Sequence, residues 1–318
     1  MKKIIFSLLI LFCLTLSLTS CGGGSESEGN RNEEETPLDP NYYTKELTFV
    51  LNEDGASYTA HGYGEATNLK KIVIPQTYEG LPVTIIDNFA HGPLESIKIP
   101  EGVTIIGIGA FASCKQLKHI EIPSTVEAIS HQTFINSGIE SITLHDGLKN
   151  IFDDAFKNCT NLKSIVIPQT VEYMQGSIFQ GCSSLETVVL PNYISKLDDN
   201  FFDGCTSLKN VTVNTTYLSL GKYAFANCSS LEKFTFATTS SSIPAFVFSG
   251  CTSLKEVVIP ASVKKIGYDA FANCNSLETV YFEGTQEQWN KITVDTTNGS
   301  NQALLNANIV FEYVRPSA

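Results

Sequence analysis

Apolar and polar positions recur along this chain with a period of 23 residues. The period is most visible in cysteine, at Cys159, Cys182, Cys205, Cys228, Cys251 and Cys274. Phenylalanine keeps the same step from Phe156 to Phe271, and leucine keeps it from Leu162 to Leu277. A fixed period of this length predicts a solenoid, because one repeat cannot bury its own apolar face and each coil must pack on its neighbours.

Each repeat contains one segment with the alternation of a half-buried β-strand, as in Leu162, Ile165 and Ile167. Ten such segments begin at Leu69, Leu94, Leu117, Ile139, Leu162, Leu185, Leu208, Leu231, Leu254 and Leu277. Stacked at about 4.8 Å per rung, they form a sheet about 45 Å long. The sequence therefore predicts a β-rich repeat solenoid of about ten coils with one parallel sheet and a spine of phenylalanine.

Both ends of the stack carry segments that can close it. Residues 42–67 contain Leu47, Phe49 and Leu51 in alternation, which predicts a covering strand or hairpin. Thr285 and Gln288 have the spacing of a capping box, which predicts a short helix carrying the single tryptophan, at position 289, onto the last rung. Capped ends are expected because an open terminal rung would expose a sheet edge.

These residues closely resemble the BspA-type leucine-rich repeats of surface proteins from anaerobic bacteria. The resemblance extends over roughly residues 42–313 and includes the closing segment from Gly284 to Ile292. It implies a leucine-rich-repeat stack over residues 68–283, an N-terminal cap over 42–67 and a C-terminal cap over 284–318. Because the resembled family includes adhesins, it also implies a surface that binds host matrix proteins or other cells.

The N-terminus has the features of an export signal. Lys2 and Lys3 precede an apolar run over residues 4–18, which is shorter than the roughly 20 residues that span a bilayer. This pattern predicts a signal peptide over residues 1–20. The residues just before and including Cys21 resemble the bacterial lipobox, which implies cleavage before Cys21 and membrane attachment through its acylated thiol and amino group.

Residues 21–41 predict a disordered tether, because they are rich in Gly, Ser and Glu and have almost nothing apolar to bury. Its acidic residues are Glu26, Glu28, Glu33, Glu34, Glu35 and Asp39. A solvated linker explains such a run. Acidic residues soon after an acylated cysteine also resemble the signal that sends some lipoproteins to the outer face of the outer membrane, which implies a surface-exposed, lipid-anchored protein.

Net charge narrows the class of partner. Loss of Lys2 and Lys3 leaves 19 of the 21 basic residues against 33 acidic ones, which moves the formal charge from −12 to −14. Nucleic acid and anionic lipid surfaces are poor partners for such a chain.

The chemistry of an enzyme or a metal site is not evident in the sequence. Seven cysteines lie in the repeats, and a regular column of them suits buried free thiols better than disulfides or metal ligands, since stacked positions do not converge on one point. The five histidines lack metal-ligand spacing. We therefore predict a non-enzymatic protein without cofactor or metal.

A column of alternating charge follows the leading apolar residue of each strand. Its members are Lys70, Glu95, Lys118, Glu140, Lys163, Glu186, Lys209, Glu232, Lys255 and Glu278. In a parallel stack this alternation makes every neighbour an opposite charge, worth about 0.2 to 1 kcal/mol per pair. We interpret it as a structural charge ladder that keeps the rungs in register, with a recognition stripe as the alternative.

The outward mid-strand position is the candidate binding face. Its members in the second half of the stack are Thr143, Val166, Val189, Thr212, Thr235, Val258 and Tyr281. The row is short, β-branched and nearly free of aromatic rings, which favours a flat protein-binding surface over a sugar-stacking platform. Strand propensity alone would also explain such residues.

The sequence thus favours an exported lipoprotein whose repeat sheet binds a macromolecule, with a protein favoured as the partner. The alternatives are an accessory glycan-binding lipoprotein of a nutrient-uptake system, for which exposed aromatic pairs are expected, and a structural spacer.

Overall fold

The repeated Leu-x-x-Ile-x-Ile segment forms a parallel strand in every coil, as the sequence predicts. The computed structural model describes residues 44–64, 68–212 and 217–315. These residues contain ten strands of the repeated segment, which we call the front strands, and they form about nine complete coils. They are β3 (Lys71–Val73), β6 (Ser96–Lys98), β8 (His119–Glu121), β10 (Ser141–Thr143), β12 (Ser164–Val166), β14 (Thr187–Val189), β16 (Asn210–Thr212), β18 (Lys233–Thr235), β20 (Glu256–Ile259) and β22 (Thr279–Phe282).

The predicted signal peptide, Cys21 and the tether over 21–41 lie outside the described residues, as do positions 42–43, 65–67 and 316–318 of the predicted caps. Within the described residues, no helix has the length and hydrophobicity that a membrane crossing requires.

Each coil also contains a second short strand, which was not predicted from the sequence. This second column consists of β5 (Leu81–Asp87), β7 (Ile105–Ile106), β9 (Ala128–Ile129), β11 (Asn150–Ile151), β13 (Tyr173–Met174), β15 (Lys196–Leu197), β17 (Ser219–Leu220), β19 (Ser242–Ile243), β21 (Lys265–Ile266) and β23 (Thr293–Val294). Most of these strands have two residues, too few to show an alternating pattern.

Phenylalanine rings stack through the core from one coil to the next. Successive rings from Phe89 to Phe271 have centroids 5.3 to 6.1 Å apart and nearly parallel planes. Offset stacking of this kind adds about 0.5 to 1.5 kcal/mol per pair beyond the burial of apolar area. The spine therefore ties each coil to its neighbours, which confirms the role predicted for this column.

The cysteine column confirms the prediction of buried free thiols. All seven repeat cysteines are buried and unpaired. The Sγ of each donates to the backbone carbonyl of the spine phenylalanine in the preceding coil, at 3.0 to 3.2 Å. Burial raises the pKa of the thiol, to about 11 for Cys114 and further for Cys182. These thiols are therefore structural and chemically inert.

The turn before each cysteine position requires an unusual backbone conformation. The residue two positions after each spine phenylalanine has a positive φ, and the nine are His91, Ser113, Asn136, Asn158, Gly181, Gly204, Asn227, Gly250 and Asn273. Asn and Gly dominate because they tolerate the left-handed region best. This column explains why small polar residues recur there in the sequence.

Two coils have a shorter turn without cysteine, after Phe89 and after Phe134. Gly138 lies in the second of these turns, and a Cβ there would be 2.0 Å from the carbonyl oxygen of Lys115. Only glycine allows this approach. The front strands that follow the two short turns are β6 and β10, and each pairs with the strand before it but not with the strand after it.

The front column is consequently divided into four sheets, β3–β6, β8–β10, β12–β14–β16 and β18–β20–β22 with β24 (Asn308–Val310). The third interruption separates β16 from β18, where Phe234 is the buried residue of β18 and the buried Phe236 directly follows the strand. The register of the stack is thus maintained by the core turns even where the front ladder is interrupted.

Both predicted caps contain the expected elements. At the N-terminus β1 (Phe49–Leu51) and β2 (Tyr58–His61) form an antiparallel hairpin, and β2 runs parallel to β5. A short strand, β4 (Thr77–Tyr78), folds back on β5. At the C-terminus Thr285 and Gln288 form the predicted capping box at the start of α1 (Gln286–Trp289). A 3₁₀ turn (Thr297–Gly299) and α2 (Gln302–Asn306) follow.

Candidate functional site

The outward side chains of the front column form the candidate binding face. In each strand two positions point outward and the residue between them points into the core, so that Ser164 and Val166 are exposed while Ile165 is buried. The strand register aligns these positions from coil to coil; in β12 and β14, for example, Val166 lies beside Val189. The face is therefore a set of aligned rows.

The middle of this face is open and uncharged. We call the outward residues of β10, β12 and β14 the central strip; they are Ser141, Thr143, Ser164, Val166, Thr187 and Val189, and all are exposed. Val166 is 64% exposed and Val189 is 41% exposed. A groove of about 330 Å³ follows the interruption between β10 and β12 and is lined in part by Thr143, Val166 and Pro168.

Charged residues lie on either side of the central strip. Lys98 and Glu121 occupy outward positions towards the N-terminus, and Lys233 and Glu256 occupy them towards the C-terminus. The Nζ of Lys233 lies 2.9 Å from a carboxylate oxygen of Glu256. The face thus consists of a neutral middle between two charged borders.

Two predicted members of the binding face are not available in this structure. Val258 is only 2% exposed, which contradicts its assignment to a free binding row. Tyr281 is half-buried, and its ring packs on the ring of Tyr313 with centroids 4.6 Å apart. Thr235 is exposed, whereas the side chain of Thr212 lies outside the described part of the chain.

The last described residues, 311–315, cover this end of the face. The backbone amide of Tyr313 donates to the carbonyl of Phe282. The guanidinium of Arg315 bonds the carboxylate of Glu283 through two nitrogens and donates to the carbonyl of Phe236 at 2.9 Å. Glu283 and Phe236 lie two coils apart, so Arg315 spans the coil that contains Val258.

The charge ladder forms ion pairs in only part of the stack. Four of its nine neighbouring pairs lie within 4.0 Å, namely Lys70–Glu95, Lys118–Glu140, Glu186–Lys209 and Glu232–Lys255. The hydrogen bond from the partner lysine lowers the pKa of Glu95 and of Glu140. Among the described residues, Lys163 and Glu278 make no ion pair. The ladder therefore joins coils in pairs and is not continuous.

The described residues contain no group of three or more His, Cys, Asp or Glu side chains that could hold a metal ion. The histidines that contact carboxylates lie at the surface, for example His145 with its Nε2 3.2 Å from Glu121. Each of these contacts is a single pair of one histidine and one carboxylate between neighbouring coils.

Exposed aromatic residues outside the front face were not predicted from the sequence. Tyr193 is 84% exposed and Tyr217 is 55% exposed, in equivalent turns of adjacent coils. Both directly precede a buried apolar residue, Ile194 and Leu218 respectively. For Tyr193 the signal was present in the repeat, because most other coils carry Gly, Thr or Ser at its position. Tyr217 is offset from that position by one residue, since Leu197 pairs with Leu220.

The family model for the BspA-type leucine-rich-repeat region matches residues 84–206 and 177–295, in six copies. No curated protein matches the chain.

Among solved structures, the chain is similar to a leucine-rich repeat protein from Bacteroides ovatus, at 21% identity over 85% of this chain and 99% of the other, with a TM-score of 0.48. It is similar to the leucine-rich repeat protein of T. pallidum, at 25% identity over 77% and 91% of the two chains, with a TM-score of 0.42. It is also similar to a leucine-rich cell surface protein from Faecalibacterium prausnitzii, at 23% identity over 80% and 97%, with a TM-score of 0.33.

Proposed function

The chain belongs to the BspA-type leucine-rich-repeat family, and on this premise we propose that it is a non-enzymatic cell-surface protein that binds a partner protein through the central strip. Repeat solenoids expose extended surfaces of aligned residues, and such surfaces serve as binding faces in other repeat proteins. The partner class that we propose is a host matrix protein or a protein on another cell.

The exposure of Val166 and Val189 in one aligned, uncharged row carries this proposal. Two exposed valines side by side in the register, next to the hydroxyls of Ser164 and Thr187, combine apolar area with hydrogen-bonding groups. Protein interfaces have this composition at their centre, with charged residues depleted there and placed at the rim. The charged borders at Lys98 and Lys233 match the rim.

We further propose that the protein is lipid-anchored at Cys21 and exposed at the outer membrane surface. The support comes from the N-terminal sequence: a short apolar run, a lipobox-like segment and an acidic tether. Protease treatment of intact cells tests this placement. We expect degradation of the repeat region while a periplasmic control protein survives; survival of both would place the repeats inside the cell envelope and contradict the surface role.

Binding can be tested with purified repeat region against immobilised fibronectin, fibrinogen, laminin and collagen at physiological salt. We expect at least one of these proteins to bind, and Val166→Asp to weaken that binding at least about tenfold, because it places a carboxylate in the centre of the apolar contact. Val50→Asp is the matched control, since Val50 is an exposed strand valine of the N-terminal cap.

Two results would contradict the proposal. Equal loss with Val166→Asp and Val50→Asp would show that added negative charge weakens binding wherever it lies. Unchanged binding with Val166→Asp would place the contact elsewhere on the molecule. Absence of binding to every protein in the panel would instead favour the structural-spacer role.

A further inference from the structure

The front strands β10 and β12 lie in adjacent coils but do not pair with each other. Where front strands do pair, the backbone amide that follows one strand donates to a carbonyl of the next, as Ile122 donates to Thr143 at 3.0 Å. The corresponding amide in the next coil is that of Leu144. No hydrogen bond within the described residues joins it to the carbonyl of Val166. In a parallel ladder such groups point towards the neighbouring strand, so a donor and an acceptor face the gap without each other.

The same gap opens the apolar core towards solvent. The residue that follows the strand is buried where the strands pair, and Ile122 and Ile167 are only 2% and 1% exposed. Leu144, at the equivalent position, is half-buried, and so is Ile142 within β10. Both line the groove of about 330 Å³ between β10 and β12. The groove therefore combines apolar surface with the backbone groups of the missing bond.

The groove is short, because hydrogen bonds hold the two coils together at both of its ends. Before the strands, the amide of Lys163 donates to the carbonyl of Glu140 at 3.4 Å. After the strands, the hydroxyl of Thr170 donates to the carbonyl of Leu148 at 2.8 Å. A further strand between β10 and β12 would need them about 9.6 Å apart, twice the normal spacing, and these bonds oppose such a separation. A ligand group therefore has to enter the groove from the outer face, as a side chain does.

We propose that this groove binds the side-chain carboxamide of a glutamine or asparagine of the partner protein. A carboxamide carries an acceptor oxygen and a donor nitrogen in one planar group. Its oxygen accepts from the amide of Leu144, its nitrogen donates to the carbonyl of Val166, and its aliphatic stem packs on Ile142. The inference rests on the proposed function, because it specifies the chemistry of the partner at the central strip.

The two backbone groups select against other side chains. A partner that covers the groove removes both groups from water, and a buried amide or carbonyl without a hydrogen bond is costly. An aliphatic side chain would satisfy neither group, and a lysine would satisfy only the carbonyl of Val166. A carboxylate would satisfy only the amide of Leu144, and it would enter a groove whose lining already includes the exposed carboxylate of Asp146.

A second groove, of about 440 Å³, lies where β6 and β8 do not pair. Within the described residues the amide of Ile99 makes no bond to the carbonyl of Glu121, so the backbone opens in the same way there. The lining of this groove includes three charged residues, Lys98, Glu101 and Glu121, whereas that of the groove between β10 and β12 includes one, Asp146. Covering charged groups costs more than covering neutral ones, so the second groove serves as an internal comparison.

The first measurement is amide hydrogen exchange, followed by NMR, on the purified chain that lacks only residues 1–21. We expect the amide of Leu144 to exchange at least about tenfold faster than those of Ile122 and Ile167, because these two are hydrogen-bonded to the next strand. Equal protection of the three amides would show that β10 and β12 pair in solution, and it would overturn the proposal.

The ligand probe is an acetylated and amidated heptapeptide with a central glutamine between valines and threonines. Two matched peptides carry methionine or glutamate in place of the glutamine. We expect the glutamine peptide to bind with a Kd below about 5 mM and to slow exchange at Leu144. The methionine and glutamate peptides should bind at least about fivefold more weakly, because each leaves one or both backbone groups without a partner. Exchange at Ile99 should not change with any of the three.

Leu144→Pro removes the amide hydrogen itself. We expect this variant to bind the glutamine peptide at least about fivefold more weakly than the parent chain, and no better than it binds the methionine peptide. The matched control is Ile167→Pro, which removes an amide that donates to the carbonyl of Val189 at 3.0 Å and should lower the melting temperature more than Leu144→Pro does. If Leu144→Pro does not fold, the exchange measurements and the peptide series on the parent chain decide the question.

Two further results would overturn the proposal. Equal affinity of the three peptides would show that the carboxamide is not what the groove selects. Binding of the glutamine peptide without slower exchange at Leu144 would place the carboxamide elsewhere.

Failure of this proposal and failure of the proposed function give different results. If Val166→Asp weakens binding to a matrix protein but the glutamine peptide does not bind, the protein-binding function stands and the carboxamide site is overturned. If the glutamine peptide binds and slows exchange at Leu144 but no matrix protein binds, the carboxamide site is supported and the proposed partner class is contradicted.

Discussion

Val166 and Val258 occupy the same outward position in two coils of the front column, in strands of similar sequence, yet 64% of one is exposed and 2% of the other. The difference does not arise within either coil. Residues 311–315, which follow the last repeat, fold back over the C-terminal coils, whereas no described segment covers the middle coils. Equivalent positions in a repeat protein therefore need not have the same solvent exposure.

The largest expected effect contrasts the two valines directly. Val258→Asp should lower the free energy of unfolding by about 3 to 4 kcal/mol, because it removes a buried side chain and places a polar group where it lacks partners. Val166→Asp should change the same quantity by less than about 0.5 kcal/mol. Urea denaturation of both variants measures the difference. Similar losses of unfolding free energy in the two variants would show that Val166 and Val258 are equally exposed in solution.

A second experiment removes contacts that hold residues 311–315 over the C-terminal coils. Arg315→Ala breaks the contacts of the guanidinium with Glu283 and with the carbonyl of Phe236, and we expect a loss of about 1 to 3 kcal/mol. Hydrogen exchange of residues 256–259 should become faster, while exchange of residues 164–166 should not change. Lys291→Ala, in the same cap, is the control. Unchanged exchange at 256–259 would mean that Arg315 does not keep the C-terminal segment in place.

The smallest expected effect concerns the charge ladder. Lys118 pairs with Glu140 at 2.8 Å, whereas Lys163, at the edge of the central strip, has no ion pair in the described residues. Lys118→Ala should therefore lower the melting temperature slightly at pH 7, and Lys163→Ala should lower it less. The same small loss in both variants would indicate that the ladder acts through its overall charge alternation and not through the pairs seen here.

The pH dependence of this difference follows from Glu140. The hydrogen bond from Lys118 lowers the pKa of Glu140 from its ordinary 4.5. A lowered pKa in the folded state contributes stability above the unfolded pKa, and this stability is lost as the pH falls through the lowered value. The gap between Lys118→Ala and Lys163→Ala should thus be present at neutral pH and disappear in acid. A gap that persists after Glu140 is protonated would have another cause.

Prediction from sequence succeeded where each residue contacts its equivalent in the next coil. The spacing of Phe156, Cys159 and Leu162 identified the spine, the thiol column and the front strand, because identical side chains repeat at a fixed distance along the stack. The capping box at Thr285 could also be recognised, since its two partners are three residues apart.

Prediction was wrong or incomplete where the decisive contacts join residues far apart in the chain. Val258 was assigned to the binding face because nothing in its own repeat shows that Arg315 joins the coils on either side of it. The charges of the ladder alternate through every coil, as the sequence shows, and each was expected to face an opposite charge in the next coil. In the structure only some neighbours form ion pairs, and Lys163 is outside them among the described residues.

The sequence by itself determined the repeat, the coil length, the buried columns and the chemical character of each row, because a period of 23 residues forces equivalent positions into the same environment. The tertiary structure decided which parts of those rows face solvent. Covering of the last coils and interruption of the front sheet after the short turns both depend on long-range packing, and a local pattern carries no information about which distant segment will pack against it.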